Sequence, residues 1–411
     1  MRIKGGRVID TANGVDEIRD VCIEAGKIVA AADGEVVDAT GKIVVPGLID
    51  MHVHLREPGR GDKETIETGT LCAARGGFTS VVCMPNTSPV ADNTGTIAFI
   101  KQRPAHVNIF PTGAITKELK GEELAPIGSL KKAGIVAVTD DGHCVQNNEL
   151  MRRAVEYAKM FDLPVLDHCQ DYNLVADGVM HEGYWSAALG LRGWPASGED
   201  VIVARNILLA ESADWYVHCQ HISSARSVEL IREAKRRGVK ISAEACPHHF
   251  TLTDECVKTY DTNFKMNPPL RTERDRKAVV EGLADGTIEI IGSDHAPHCN
   301  YEKEVEFDVA PFGILGLETE LALSLDLVRK KHLTMPALIE KFTTKPAALL
   351  RLAKGTLSLG ADADVTIIDP HCEWTYEVGT SASKSRNSPF GGWKLRGRAV
   401  RTIVEGVTKF Q

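Results

Sequence analysis

The chain has 411 residues, 43% of them hydrophobic and 25% charged, which is enough to bury a large core as one big domain with an appendage or as two domains. A formal net charge of −8, without long runs of either sign, speaks against a nucleic-acid footprint and for a solvated acidic surface. The ten cysteines are scattered without CxxC pairs, and no apolar run reaches the ~18 residues of a membrane span or resembles a signal-peptide core, so reduced thiols and a cytoplasmic location, away from any membrane, are expected.

Residues 1–45 alternate short β-prone runs with turns, as in Arg7-Val-Ile-Asp, Val21-Cys-Ile-Glu and Lys27-Ile-Val. From residue 46 the pattern changes. Apolar strand candidates fall at 47–55, 80–84, 107–114, 134–139, 164–168, 215–221, 240–245 and 288–292. Helical stretches at 64–75, 94–103, 148–161, 199–212, 224–237 and 272–284 lie between them, and 317–331 and 335–352 follow the last. Strict alternation implies parallel strands with helical crossovers, and eight such units predict an α/β fold of the (β/α)8 TIM-barrel type. An open doubly wound sheet is the runner-up, but it normally carries a Gly-rich turn after its first strand, and none occurs here.

Residues 356–411 return to short β-prone runs, Asp364-Val-Thr-Ile-Ile-Asp and Val400-Arg-Thr-Ile-Val-Glu. Neither end can bury much alone, so the two are expected to pair into a small β-sandwich domain, with 1–45 as its first part, 356–411 as its second and the barrel spanning 46–355. The Ser-, Gly- and Lys-rich stretch 379–392 reads as a loop that leaves this domain and returns.

In a barrel the chemistry sits at the C-terminal ends of the strands. Those ends are rich in ligands: His52 and His54 on strand one, Asp140-Asp141-Gly142 after strand four, His168 on strand five, His218-Cys-Gln-His221 on strand six, and Asp294-His295-Ala-Pro-His298 after strand eight. Residues i and i+2 of a strand share a face, so His52 and His54 can grip one ion, with Arg56 a step further to meet an anion. Four His and two Asp from five strands suffice for two metal ions sharing a carboxylate, and a nitrogen and oxygen donor set suits Zn²⁺. Strand parity sends Asp167 and Cys169 toward the helices and places Cys219 in the barrel one layer below His221. His218, His248, His249 and His295 are read as supporting or solvent-facing groups. Asp140 and Asp141 compete for the shared position, and parity does not separate them.

Taken together, His52-Val-His54-Leu-Arg56-Glu-Pro-Gly, Met84-Pro-Asn86-Thr, Thr139-Asp-Asp141-Gly, Asp167-His168-Cys, His218-Cys-Gln-His221-Ile-Ser, Asn267-Pro-Pro-Leu-Arg271 and Ser293-Asp294-His295-Ala-Pro-His298 resemble the dihydroorotases of the amidohydrolase superfamily. The resemblance runs over nearly the whole chain. It implies reversible hydrolysis of dihydroorotate to N-carbamoyl-aspartate in pyrimidine biosynthesis, with two Zn²⁺ per subunit. His52, His54 and Asp294 would hold the first ion and His168 and His221 the second, with Asp141 bridging in place of the carboxylated lysine of many superfamily members. Asp294 would also be the catalytic proton shuttle. Arg56, Asn86, Asn267 and His298, together with His54 and the backbone of Phe312 and Gly313, would bind substrate, beneath a lid formed by 299–311. A homodimer is the expected assembly, and association with aspartate transcarbamoylase is left open. Hydantoinases and allantoinases are the nearest rivals by resemblance; they typically carry the bridging lysine and lack the arginine. A non-catalytic partner of aspartate transcarbamoylase would be expected to have lost ligands, whereas all six are present.

Overall fold

A computed structural model describes all 411 residues. Its barrel strands are Leu48–Val53, Phe78–Cys83, Asn108–Pro111, Val165–Asp167, Val217–Cys219, Ile241–Ala245 and Ile290–Ile291. The predicted fourth strand, 134–139, is not a regular strand; Val138 alone pairs with Gly113 on one side and Val165 on the other, filling the gap between the two arcs of strands. The circle closes where Val53 pairs with His295. All these pairings are parallel, as alternating strand and helix dictate.

The barrel interior is filled by Met51, Val82, Met84, Ala137, Leu166 and Ile290, joined by Leu350. Leu350 lies on the helix Thr344–Leu350, whose next residue, Arg351, meets Asp162 at 2.5 Å and stacks on Trp215 at the entry ends of strands five and six. That end is therefore plugged, and the opposite end is left for chemistry. The single helix expected over 335–352 is two, Met335–Phe342 and Thr344–Leu350, because Thr343 adopts φ −128°, ψ −84° and breaks the ladder. A short helix, Ile127–Ala133, precedes strand four and is an element the sequence pattern did not suggest. A second, larger apolar layer packs strands against the helices, with Phe78 and Phe342 meeting edge to face at 5.8 Å.

The two chain ends do pair. Val365–Thr375 runs antiparallel to Ile43–Pro46, with Ile367 opposite Val44, joining the N- and C-terminal strands into one eight-stranded sheet. Ile3, Val8, Val21, Ile28, Val44, Val365 and Ile403 form a core of its own. The sheet is fastened to the barrel's first helix by Thr366 Oγ1 donating to Gly77 O at 2.6 Å and Thr402 Oγ1 to Ala74 O at 2.7 Å. At the junction between sheet and barrel, Gly47 passes so close to Thr79 that a Cβ would lie 2.0 Å from its hydroxyl, so only glycine fits. No helix is long and apolar enough to cross a membrane.

Because Phe342 is fully buried against Phe78, Phe342→Ala should lower the unfolding free energy by about 3–5 kcal/mol in guanidinium titrations. A loss below about 1 kcal/mol would mean the pair does not hold the helix layer to the strands.

Candidate active site

Strand one delivers two imidazoles to the open end of the barrel, and their outer nitrogens are already spoken for. His52 Nδ1 pairs with Glu244 Oε1 at 2.5 Å, and His54 Nδ1 pairs with Asn86 Oδ1 at 2.9 Å. Each oxygen can only accept, so both rings carry their proton on Nδ1 and present a bare Nε2. His54 Nε2 lies 3.1 Å from Asp294 Oδ1 and 3.4 Å from Asp141 Oδ2, and His52 Nε2 lies 3.3 Å from Asp141 Oδ1 and 3.6 Å from Asp294 Oδ1. On the far side, His168 Nε2 donates to Gln170 Oε1 at 2.8 Å, which leaves its Nδ1 facing His221 Nε2 at 2.8 Å and Asp141 Oδ1 at 3.5 Å. His221 Nε2 is 3.7 Å from the same Asp141 oxygen.

Asp141 thus faces all four imidazoles. Asp140 does not: its carboxylate turns away to accept hydrogen bonds from the Ile115 and Thr116 backbone and the Thr116 hydroxyl, and burial raises its pKa to about 7 against those bonds. The geometry separates the two neighbours where the pattern left them level.

Lone pairs of imidazole nitrogen and carboxylate oxygen that point at one another repel unless a cation lies between them. His52 Nε2 and Asp141 Oδ1, both buried, have no hydrogen-bond partner. Without a metal, protons must play that part. Burial opposes charging His52, yet Asp141, Glu244 and Asp294 outweigh it and hold its pKa well above the usual value. Burial likewise opposes ionising Asp141, but His52, His168 and His221 hold its pKa well below that of an ordinary carboxylate. The donor set fits a metal: ligand atoms of His52, Asp141 and His221, and of His52, His54 and Asp294, lie within 4.8 Å of one another.

With His52 buried beneath them, His54, Asp141, His168, His221 and Asp294 floor a cavity of about 320 Å³, also lined by Arg56, Asn86, Asn267, Ala296, His298, Pro311, Phe312 and Gly313. Every residue expected to bind substrate therefore borders one space. Arg56 donates from Nε to Pro297 O at 3.2 Å, and burial lowers its pKa to about 10, which still leaves it charged at neutral pH. Asn267 Nδ2 donates to Gln170 Oε1 at 3.0 Å. His298 receives Lys63 Nζ on Nδ1 at 3.1 Å, so its Nε2–H goes to Phe312 O at 2.8 Å. Burial, then Arg56 and Lys63, hold its pKa far below the usual value, so it is neutral. The 299–311 segment, expected as a lid, is held from outside by Lys265 Nζ, which donates to Phe307 O at 2.7 Å and Asp308 O at 2.9 Å, and is closed on itself by Lys303 Nζ donating to Pro311 O at 2.8 Å.

Arg56, His221 and Asp294 have φ of 60°, 32° and 47°, a left-handed conformation uncommon for non-glycine residues. This twist corrects one expectation. Cys219 is not one layer below His221 inside the barrel; it belongs to the layer packed against the helices, because His218 and Gln220 face inward by ordinary alternation and only His221, at φ 32°, departs from it. Asp167 and Cys169 do face the helices, Asp167 pairing with Arg205 at 2.6 Å. None of the four spare histidines is solvent-facing, and none lines the cavity. His218 bonds Ser242 and faces Glu244, His295 faces Glu64, His249 donates to Pro268 O, and His248 packs on His249. The residues sequence reasoning passed over are Glu244, Gln170 and Lys63. Glu244 had a signal, a carboxylate in the middle of the apolar run Ile241–Ala245, which must find a partner inside the barrel.

If Asp141 is the shared ligand, Asp141→Ala should strip metal from the purified protein, read by elemental analysis, while Asp140→Ala should retain most of it. The reverse order would transfer the role to Asp140.

Comparison with known proteins gives the same picture. Residues 41–227 match the model of a family described as dihydro-orotase-like. A dihydroorotase of Pelotomaculum thermopropionicum is 57% identical over 413 residues, covering 98% of this chain and 97% of that one, and a dihydroorotase of Syntrophotalea carbinolica is 54% identical with the same coverage. Among solved structures, an L-hydantoinase (dihydropyrimidinase) from Arthrobacter aurescens superposes with a TM-score of 0.89 at 26% identity, covering 100% of this chain and 96% of that one. A dihydropyrimidinase from Brevibacillus agri NCHU1002 superposes with a TM-score of 0.87 at 25% identity, covering 100% and 95%. With full-length relatives at this level of identity, the chain belongs to the dihydroorotase family.

Proposed function

We propose that the protein hydrolyses the cyclic amide of (S)-dihydroorotate reversibly to N-carbamoyl-L-aspartate, in the de novo route to UMP, with two zinc ions held by His52, His54, Asp294, His168 and His221 and bridged by Asp141. The observation that carries the substrate choice is Arg56. Its half-buried guanidinium borders the cavity, its Nε donates to the neutral Pro297 carbonyl, its neighbour His298 is neutral, and it remains charged. A half-buried cation so placed is stabilised by an incoming anion, and a planar carboxylate meets the guanidinium fork with two hydrogen bonds. Hydantoin and dihydropyrimidine rings bring no such carboxylate, so the arginine favours dihydroorotate over the substrates in the structural neighbours' names.

Bound at these ligands, the metal supplies Lewis acidity toward a carbonyl and toward water, whose pKa in such sites falls to about 7. The chain's own groups do the rest. Arg56 and Asn267 hold the ring so that its amide carbonyl faces the histidine and carboxylate floor. Asp294, 3.1 Å from His54 Nε2, accepts the proton of the attacking water and returns it to the ring nitrogen as the C–N bond opens. Glu244, Asn86 and Gln170 keep His52, His54 and His168 turned with the correct nitrogen inward. Ten free cysteines suit a reducing cytoplasm, and we keep a homodimer as the expected assembly; light scattering and co-purification with aspartate transcarbamoylase test it.

Purified protein should contain about two equivalents of zinc, hydrolyse dihydroorotate but not dihydrouracil, and lose turnover on chelation with recovery on adding zinc. Equal turnover of dihydrouracil would transfer the protein to the hydantoinase side. Arg56→Met should raise KM for dihydroorotate about 10–100-fold with metal content unchanged, as loss of a charged hydrogen-bonding pair predicts. An unchanged KM removes Arg56 from carboxylate binding. Asp294→Asn should lower kcat by about 10²–10⁴-fold, measured under saturating substrate, with the His168 and His221 metal retained.

A further inference from the structure

The motif Ser381-Ala-Ser-Lys-Ser-Arg-Asn387-Ser-Pro-Phe390 has no part in the chemistry above, yet the returning loop that carries it does not stay on the terminal sheet. It crosses to the rim of the barrel. Ser383 Oγ and the Lys384 N–H donate to Glu64, Ser385 Oγ donates to Lys63 O at 2.7 Å, and Asn387 arrives buried between two segments that line the substrate cavity. Its Oδ1 accepts the His298 N–H at 3.0 Å, and its Nδ2 donates to Ala296 O and Gly313 O, each at 3.0 Å. Its own carbonyl accepts the Leu315 N–H at 2.9 Å. Both amide protons are thus used, one on each segment.

What Asn387 joins is the substrate-facing half of the cavity. On one side are Ala296, Pro297 and His298, with Arg56 Nε resting on Pro297 O. On the other are Phe312 and Gly313. The two sides already touch: Gly313 has φ +125°, and a Cβ there would fall 2.6 Å from Ala296 Cβ and 3.2 Å from His298 Nε2. The metal-facing groups have separate supports in Glu244, Asn86 and Gln170.

We infer that Asn387, contributed by the C-terminal segment, is a positioning residue for substrate recognition: it sets the spacing between the Ala296–His298 and Phe312–Gly313 walls and so aims Arg56 at the carboxylate. A site held within a fraction of an ångström depends on such supporting hydrogen bonds. The inference rests on dihydroorotate being the substrate.

The test is steady-state kinetics and metal analysis on Asn387→Asp and Asn387→Ser in the full chain. Asn387→Asp keeps the shape and the acceptor for His298 but sets an oxygen against two carbonyls; Asn387→Ser shortens the tie. Both should raise KM for dihydroorotate at least tenfold, with kcat within threefold of the parent and an unchanged metal content per chain. A KM equal to the parent's, a fall in kcat without a rise in KM, loss of metal, or failure of both variants to yield folded protein would each overturn the positioning role. If the parent itself does not turn over dihydroorotate, the substrate reading falls first, and that outcome is distinct from an active parent with unchanged variants.

Discussion

Four imidazoles and two carboxylates meet at the open end of the barrel with their lone pairs aimed at one another, and the rest of the molecule is arranged around that repulsion. Asp141 alone lies 3.3–3.7 Å from a nitrogen of each of the four rings. Such a cluster persists only if positive charge fills it, as bound cations or as protons on the rings. The fold's contribution is to make the arrangement rigid before the charge arrives. Glu244 beneath His52, Asn86 beside His54 and Gln170 behind His168 each take the proton on the outer nitrogen, so the inner nitrogens have no choice of direction.

That rigidity is stored in part as backbone strain. Arg56, His221 and Asp294 all have positive φ, and all three border the cavity. Each would relax in an isolated peptide, at a cost to the fold on the order of 1–3 kcal/mol apiece. They are held by their surroundings: Arg56 by Pro297, Asp294 by its place between His52 and His54, His221 by the Glu244 carboxylate accepting its backbone N–H at 3.3 Å. The twist at His221 is what brings its imidazole inward although strand alternation alone would send it, like Cys219, out to the helices.

The terminal sheet is more than a covering for the chain ends. It is tied to the C-terminal end of the first barrel helix through Thr366 and Thr402, and its returning loop meets Glu64 and Lys63 just before that helix begins. The cavity walls at Ala296–His298 and Phe312–Gly313 thereby draw support from the C-terminal segment, while the histidine floor draws it from Glu244 in a barrel strand and from Asn86 and Gln170 just beyond strand ends.

Much of this was legible in the linear chain. Alternating apolar strands and helices are a local signal, set by backbone hydrogen bonding and the period of burial, and they carry the barrel count even though strand four survives only as the bridges at Val138. His52 and His54 share a face because strand alternation is local as well. The family motifs carried the choice of Arg56, Asn267 and Asp294. What the pattern alone did not decide depends on contacts between distant residues. Asp140 and Asp141 are adjacent and chemically identical, and only the position of Thr116 against one and four imidazoles against the other separates them. Cys219 was misplaced because strand parity holds only while φ stays extended, and no residue type at His221 announces the turn. Glu244 and Asn387 act through partners 192 and 74 to 91 positions away, so tertiary packing alone gives them their roles.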